Sequence, residues 1–292
     1  MDNPWLTLIG LGEDGLAGLS PASRDALDGA EVVFGGPRHL ALADVGAKGQ
    51  PWPVPFDPTP VLAHRGQPTV VLASGDPFWF GAGGSLMAHL QPGEWTSHPA
   101  PSTFQLAANR LGWRLEEVLT LGLHAARFAR LRPVLGRGVR VICTLRDGAA
   151  VAELAAWLAA NGHPNARLTI LERLGGRQER ISRGLPDDPI GAPVSAAPVS
   201  AAIEATDPGL PRASGLPDEL FQHDGQITKR AVRALTLSAL APRAGDVLWD
   251  IGAGSGSVGI EWLLAGGAKV AALEADPVRA ERARGYVAAF GL

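Results

Sequence analysis

Residues 249–262, Trp-Asp-Ile-Gly-Ala-Gly-Ser-Gly-Ser-Val-Gly-Ile-Glu-Trp, constrain this chain more than any other stretch. The apolar run 246–251 reads as a buried strand, and a helical pattern begins near Ser257. Between them Gly252, Gly254 and Gly256 alternate. A strand that enters a helix through glycines aims backbone N–H groups and a helix N-terminus at whatever sits above it. About 20 residues on, the usual distance to the end of the next strand, Glu274 closes the run 268–273. From there a carboxylate can accept hydrogen bonds from the ribose hydroxyls of an adenosine ligand. Asp250, Gly252, Gly254, Gly256 and Glu274 are therefore candidate binding residues. A dinucleotide fingerprint requires Gly-x-Gly-x-x-Gly, and Ser257 stands at its last position. A plain strand-turn-helix and a nicotinamide or flavin site both stay open as alternatives at this point.

Length and composition set the frame. A chain of 292 residues, 46% of them hydrophobic, accommodates about two domains with sizeable cores. A formal charge of −3 gives no electrostatic case for nucleic acid. Positive charge is almost all arginine, since lysine occurs only at 48, 229 and 269. Cys143 is the sole cysteine, which rules out an internal disulfide and fits a reducing, cytoplasmic setting. The first residues lack the pattern of a signal peptide, and no run approaches about 18 apolar residues, so no membrane span is expected. The histidines (39, 64, 89, 98, 124, 163, 223) show no metal-ligand spacing, and no metal site is expected.

From the start of the chain, the run 5–9 feeds Gly10-Leu11-Gly12-Glu13-Asp14-Gly15, a second glycine-rich turn. Ser20-Pro21 marks a helix start, with Ala26 and Leu27 on its inner face. Residues 31–34 are a strand stopped by Gly35-Gly36. This rhythm predicts a parallel α/β sheet. The proline-rich stretch 46–68 predicts a loop or short capped helix. The strand 69–73 breaks into Ser74-Gly75-Asp76-Pro77-Phe78-Trp79-Phe80-Gly81, at the carboxyl end where open α/β sheets bind ligands. An ordinary tight turn is the competing reading there, and for Asp76 the likelier one. Ser102, next to Thr103, predicts an N-cap. Residues 138–145 are a strand, followed by a helix with Val151, Leu154 and Leu158 at core spacing. Strands at 167–172 and about 178–181 flank a Gly175-Gly176 hairpin turn, and 197–203 is a weakly patterned strand. The stretch 206–215 has no apolar period and reads as a linker. Beyond it Thr228 predicts an N-cap for a helix whose apolar positions are Val232, Leu235 and Leu240.

Leu8-Ile9-Gly10-Leu11-Gly12-Glu13-Asp14-Gly15, the strand and turn at 30–36, Ser74-Gly75-Asp76-Pro77 with Gly81, and Pro101-Ser102-Thr103 together resemble the tetrapyrrole (precorrin) methylase superfamily. Residues 171–176 with Glu179-Arg180 are similar to its cobalamin branch, and 221–230 followed by the 249–262 loop resembles its decarboxylating partner, a class I methyltransferase domain. The resemblance implies an α/β fold: a tetrapyrrole methylase domain at 1–205, with subdomains of about 1–100 and 101–205, a linker at 206–215, and an incomplete Rossmann-like class I domain at 216–292. It implies S-adenosylmethionine as cofactor at two sites. Gly10, Gly12, Ser74, Gly75, Asp76, Pro77, Phe80, Gly81, Ser102 and Thr103 would line the first. Thr228, Asp250, Gly252, Gly254, Gly256 and Glu274 would form the second. The implied activity is C-methylation of a precorrin at carbons 5 and 15 with decarboxylation of an acetate side chain. Such a transfer needs alignment and a dry cleft more than a covalent residue; Asp76 is the one weak catalytic candidate.

Arg38, Arg127, Arg173 and Arg177 follow strand ends or turns and are candidates for pairing with precorrin carboxylates, although solvated surface is the ordinary role of any one of them. His223 beside Asp224 leaves a substrate role and a capping role open. A class I domain has about seven strands, and only two are legible after residue 216. The expectation is therefore a truncated product or one part of a split enzyme, without the carbon-15 step, and a homo-oligomer or a separate completing chain as partner. A non-catalytic module binding S-adenosylmethionine or a tetrapyrrole, and a nucleotide-dependent oxidoreductase, are the alternatives.

Overall fold

The computed structural model describes residues 4–187 and 197–292. Its first sheet holds β1 (Leu6–Leu11), β2 (Val32–Gly35), β3 (Gly49–Pro51), β4 (Thr69–Ser74) and β5 (Trp95–His98). All pairings are parallel, in the order β3-β2-β4-β1-β5. Parallel strands covered on both faces read as unbroken apolar runs. Here one face packs Leu6, Leu8, Phe34 and Val71, and the other Ile9, Leu11, Val33 and Leu72. Helices α1 (Pro21–Asp28), α2 (Pro37–Leu42), α3 (Thr59–Leu62) and α4 (Ala82–Met87) connect the strands. Ser20 caps α1, accepting from the Ser23 amide at 3.1 Å. The 46–68 stretch was expected to be only loop or short helix. It also contributes β3, at the sheet edge, where proline's missing donor does no harm.

The second sheet is mixed. Its strands are β6 (Val118–Gly122), β7 (Arg140–Leu145), β8 (Arg167–Glu172), β9 (Arg180–Gly184) and β10 (Val199–Glu204), in the order β6-β7-β10-β8-β9. Only β6–β7 is parallel; the rest pair antiparallel. The weakly patterned last strand is the central one, and it lacks alternation because both its faces are buried. Helix α5 (Thr103–Leu111) covers one face with Phe104, Ala107 and Ala108, and α6 (Ala149–Ala160) covers the other with Val151, Leu154 and Leu158.

A third unit contains α7 (Arg230–Leu240), β11 (Val247–Ile251), α8 (Ser257–Leu264), β12 (Lys269–Leu273) and α9 (Pro277–Ala289). Strands β11 and β12 pair in parallel. Two expectations about α7 need correction. Val232, Leu235 and Leu240 are exposed, while Arg233 and Leu237 are buried. Thr228 is not the N-cap: Lys229 holds that position, and its side chain makes no capping bond. The helix is fixed by an ion network instead. Arg233 Nε donates to Glu261 Oε1 (2.7 Å) and one Nη to Asp218 Oδ1 (2.8 Å). Glu261 in turn accepts from the amides of Gly215 (2.6 Å) and Leu216 (2.9 Å).

The stretch 206–215 is tied at both ends, since the Thr206 hydroxyl donates to the Asn165 carbonyl at 2.8 Å. Arg132 joins the third unit to the second sheet, donating to the Ala289 carbonyl at 3.1 Å with its guanidinium 4.3 Å from the Phe290 ring centre. No helix among the described residues is long and apolar enough to cross a membrane.

Candidate functional site

Strands β1 and β4 are neighbours, so the loops after them rise side by side at the carboxyl edge of the first sheet. Their crossing is tight. The Gly75 amide donates to the Leu11 carbonyl (3.1 Å), and the Ala100 amide to the Gly75 carbonyl (3.1 Å). A Cβ on Gly10 would fall 1.8 Å from the Gly75 oxygen and 2.5 Å from the Ala100 nitrogen. Gly75 has φ +58°, and a Cβ there would lie 2.6 Å from the Ser102 Cα. These glycines let three backbone segments stack.

Above the crossing, the second sheet faces the first across a solvent-open cleft of roughly 330 Å³. One wall carries Arg38, His39, Trp52, Ser74, Trp79, Phe80 and Gly81; the other carries Ser102, Thr103, Phe104, His124 and Thr144. A narrower crevice continues from it past Gly12, Glu13, Gly75 and Thr103 to Arg173. Of the residues anticipated for this site, Gly12, Ser74, Gly75, Phe80, Gly81, Ser102 and Thr103 therefore line one space or both. Gly10, Asp76 and Pro77 line neither. Asp76 Oδ1 accepts the Phe78 amide at 2.8 Å and its carbonyl accepts the Trp79 amide at 3.1 Å, which makes it a turn residue. Ser102 forms a capping box with Gln105, accepting its amide at 3.3 Å while the Gln105 side chain accepts the Ser102 amide at 2.7 Å.

The polar part of the first wall is a small network. Ser74 Oγ lies 2.8 Å from His39 Nε2 and 3.0 Å from an Arg38 Nη, and that Nη is 2.9 Å from His39 Nε2. Burial, and then the charge of Arg38, hold the imidazole down at about 4, so it is neutral at pH 7. The apolar part is an aromatic step. Trp79 stacks on Phe104 with ring centres 6.0 Å apart, and Phe80, at φ +57°, lies 5.5 Å from the same ring. His39, Trp52, Trp79, Phe104, His124 and Thr144 were not singled out from the sequence. Phe104 was signalled by its place just after Thr103, and His39 by its place on α2, the helix that follows β2.

The loop 252–256 is built differently. Gly252, Gly254 and Gly256 have φ of +81°, +58° and +71°, and Gly256 is the N-cap of α8. The amides of Gly252 (2.8 Å) and Ala253 (3.0 Å) donate to the Leu273 carbonyl. Glu274 Oε2 accepts the Gly254 amide (2.7 Å) and Oε1 the Asp276 amide (2.9 Å), and these bonds pull its carboxyl below the usual range. Asp250, near the end of β11, has Oδ2 buried with no hydrogen-bond partner among the described residues, and desolvation pushes its carboxyl up against a smaller opposing pull from the Gly259 backbone. Thr228 makes no hydrogen bond to this loop among the described residues; its carbonyl accepts from Arg233, in the network that fixes α7. His223 Nδ1 accepts the Gly225 amide at 3.1 Å, a capping arrangement.

Residues 5–188 match the family model described as Tetrapyrrole (Corrin/Porphyrin) Methylases, and 219–292 match that described as Precorrin methyltransferase domain. The chain is 46% identical to precorrin-6Y C(5,15)-methyltransferase [decarboxylating] of Sinorhizobium sp., over 99% of this chain and 72% of that one. It is 37% identical to the protein of the same name from Mycobacterium tuberculosis, over 98% of this chain and 74% of that one. The crystal structure of a precorrin-6Y methylase from Archaeoglobus fulgidus superposes with a TM-score of 0.52 at 23% identity, covering 68% of this chain and 97% of that one, and shows the same fold. With two family models in chain order over a two-walled cleft, the chain belongs to the tetrapyrrole (corrin/porphyrin) methylase family and is a methyltransferase.

Proposed function

We propose that the cleft between the two sheets binds S-adenosylmethionine beside a precorrin and transfers the methyl group to a ring carbon of the macrocycle. Both the implied C5 methylation and the cobalamin-pathway setting follow the relatives' names. The observation that carries this reading is the cleft itself. It is of a size for one nucleoside-sized ligand, and its mouth is open to solvent. Its walls combine an aromatic step with Ser74, a neutral His39 and an Arg38 whose charge is answered by Glu13, and the residues present therefore fit a sulfonium donor. S-adenosylmethionine, when bound, supplies an electrophilic methyl group. The chain supplies alignment and exclusion of water: backbone at Ser74–Gly81, the α5 N-terminus at Ser102 and Thr103, and the apolar faces of Trp79, Phe80 and Phe104. Ser74, held by Arg38 and His39, is proposed to orient one of the two ligands. Gly10 is proposed to act indirectly, by allowing the loop crossing.

The loop 252–256 is proposed as a second S-adenosylmethionine contact, with its glycine backbone facing the ligand and Asp250 and Glu274 shaping the loop. It belongs to the unit that matches the precorrin methyltransferase domain model, and carbon-15 methylation with decarboxylation is proposed for that unit. The domain division at 205 and 216, and self-association of the chain, are further parts of this proposal. Calorimetric titration with S-adenosylhomocysteine tests it. Binding with saturable heat is expected, together with gain of one methyl group by a precorrin, read by mass spectrometry. A flat titration from folded protein overturns the reading.

A further inference from the structure

Each wall of the cleft carries one histidine, and the two are held differently. His39, on α2, is engaged with Arg38 and Ser74, and its imidazole is held down at about 4. His124 follows β6 on the opposite wall and is exposed, so it stands at the open mouth. Its turn is anchored by buried Leu123, whose amide donates to the Thr144 carbonyl at 3.0 Å. His124 Nδ1 lies 3.1 Å from Thr144 Oγ1, near the end of β7. Where Nδ1–H donates to that hydroxyl, the other ring nitrogen carries the lone pair. That atom, Nε2, makes no hydrogen bond among the described residues. Space beside the ring is kept by Gly122: a Cβ there would fall 3.1 Å from Phe80 Cδ1 and 3.5 Å from His124 Cε1. Phe80 comes from the other wall, with its backbone at φ +57°. A non-glycine residue keeps that conformation only where its surroundings fix it, and such residues gather at ligand sites. Gly12 and Gly75, both anticipated for the methyl donor, line the narrower crevice and not the cleft that His124 faces.

When a neutral ring carbon takes a methyl group from a sulfonium, its electron pair forms the C–CH3 bond and the S–CH3 bond breaks onto sulfur. The thioether leaves neutral, so the positive charge passes to the macrocycle. The macrocycle becomes neutral again by giving up a proton from a ring nitrogen or carbon. We propose that His124 is the acceptor: Nε2 takes that proton, Thr144 Oγ1 keeps accepting from Nδ1–H, and the imidazolium passes the proton to water at the mouth. This rests on the reading of the cleft as the methyl-transfer site and goes further by naming the base. The other groups on hand are committed. His39 is too weak a base at neutral pH, Glu13 is paired with Arg38, and Asp76 accepts the Phe78 amide.

The test has a labelling arm and a kinetic arm, both on the full chain. Diethyl pyrocarbonate is expected to modify His124, read by peptide mass spectrometry, and uroporphyrin III, an acidic tetrapyrrole, to protect it. Equal labelling at a uroporphyrin III concentration that saturates its fluorescence change overturns the proposal. In the kinetic arm the acceptor is precorrin-6Y, used as such and after methylation and decarboxylation at carbon 15. His124→Asn keeps a partner for Thr144 and is expected to lower kcat about a hundredfold or more. S-adenosylhomocysteine affinity, by calorimetry, is expected to stay within about twofold of wild type. Added imidazole is expected to return activity to His124→Gly and to leave wild type unchanged. Thr144→Val is expected to lower kcat about fivefold, the loss of one orienting hydrogen bond, and Thr144→Ser to restore it. His89→Gln, at an exposed histidine outside the cleft, should match wild type. Wild-type kcat in His124→Asn, or no rescue of His124→Gly by imidazole, overturns the base alone. So does loss of S-adenosylhomocysteine binding in His124→Asn, which marks a structural role. Wild type that does not bind uroporphyrin III, or that transfers no methyl group, refutes the reading of the cleft and the base with it.

Discussion

The two glycine-rich turns of this chain look alike as text and are built on different physics. At the first, after β1 and β4, glycine is required by crowding: other backbone occupies the place a side chain would take. At the second, after β11, nothing lies within 4 Å of a Cβ on Gly252, and the nearest atom to one on Gly254 is 4.0 Å away. There glycine is required by conformation, because all three residues lie in the left-handed region. The first turn is stapled to its neighbours by the amides of Gly75 and Ala100, whereas the second is held from one side by the Leu273 carbonyl and the Glu274 carboxylate. A glycine pattern therefore does not say whether its backbone faces ligand or protein. In the first turn, Gly10 faces protein.

Alanine at each turn separates the two cases. Gly10→Ala forces the loop crossing apart, and the backbone atoms it meets cannot rotate away. A destabilisation of about 3 kcal/mol or more is expected, the upper end for overpacking, with loss of S-adenosylhomocysteine binding in the cleft. Urea unfolding followed by tryptophan fluorescence reads it, and an unchanged midpoint would dismantle the crowding argument. Gly254→Ala meets no atoms and pays only the left-handed backbone term, about 1–2 kcal/mol. It should leave uroporphyrin binding in the first cleft untouched. A loss as large as that of Gly10→Ala would erase the distinction between the turns.

Much of this arrangement was legible in the sequence. The parallel first sheet, the Ser20 and Ser102 caps, the core face of α6 and both glycine-rich turns follow from local pattern, because local chemistry decides them. Non-local packing hid the rest. Strand β10 has no alternation to read, since its partners cover both faces. Helix α7 presented an apolar stripe, yet beside Leu237 it buries Arg233, whose charge is answered by Glu261 and Asp218 from 28 and 15 positions away. No local period announces such a network. In the same way Arg38 and Arg173 come together only when both subdomains are in place. The lone Cys143 lies in the core, where burial drives its thiol up to about 12, out of the range where it reacts.

The pH dependence of stability is where the surroundings of the two turns diverge again. In the first, folding keeps His39 neutral down to about 4, while the unfolded chain takes up the proton near 6.5. The unfolded state therefore binds more protons between those values. The stabilisation is present in full above pH 6.5 and is lost as pH falls toward 4, by up to about 3 kcal/mol. In the second turn, Glu274 is depressed by its backbone bonds. Its contribution persists until pH falls into the carboxylate range and is lost below it. Asp250, raised by burial, works in the opposite sense, since its protonation relieves a desolvated charge. Urea midpoints for wild type and His39→Asn at about pH 7 and about pH 5 isolate the first contribution. The variant should lose less stability on acidification than wild type does. Equal losses in the two proteins would mean that His39 is solvated in the folded chain, and the polar wall of the cleft would then be open to water on both sides of Ser74.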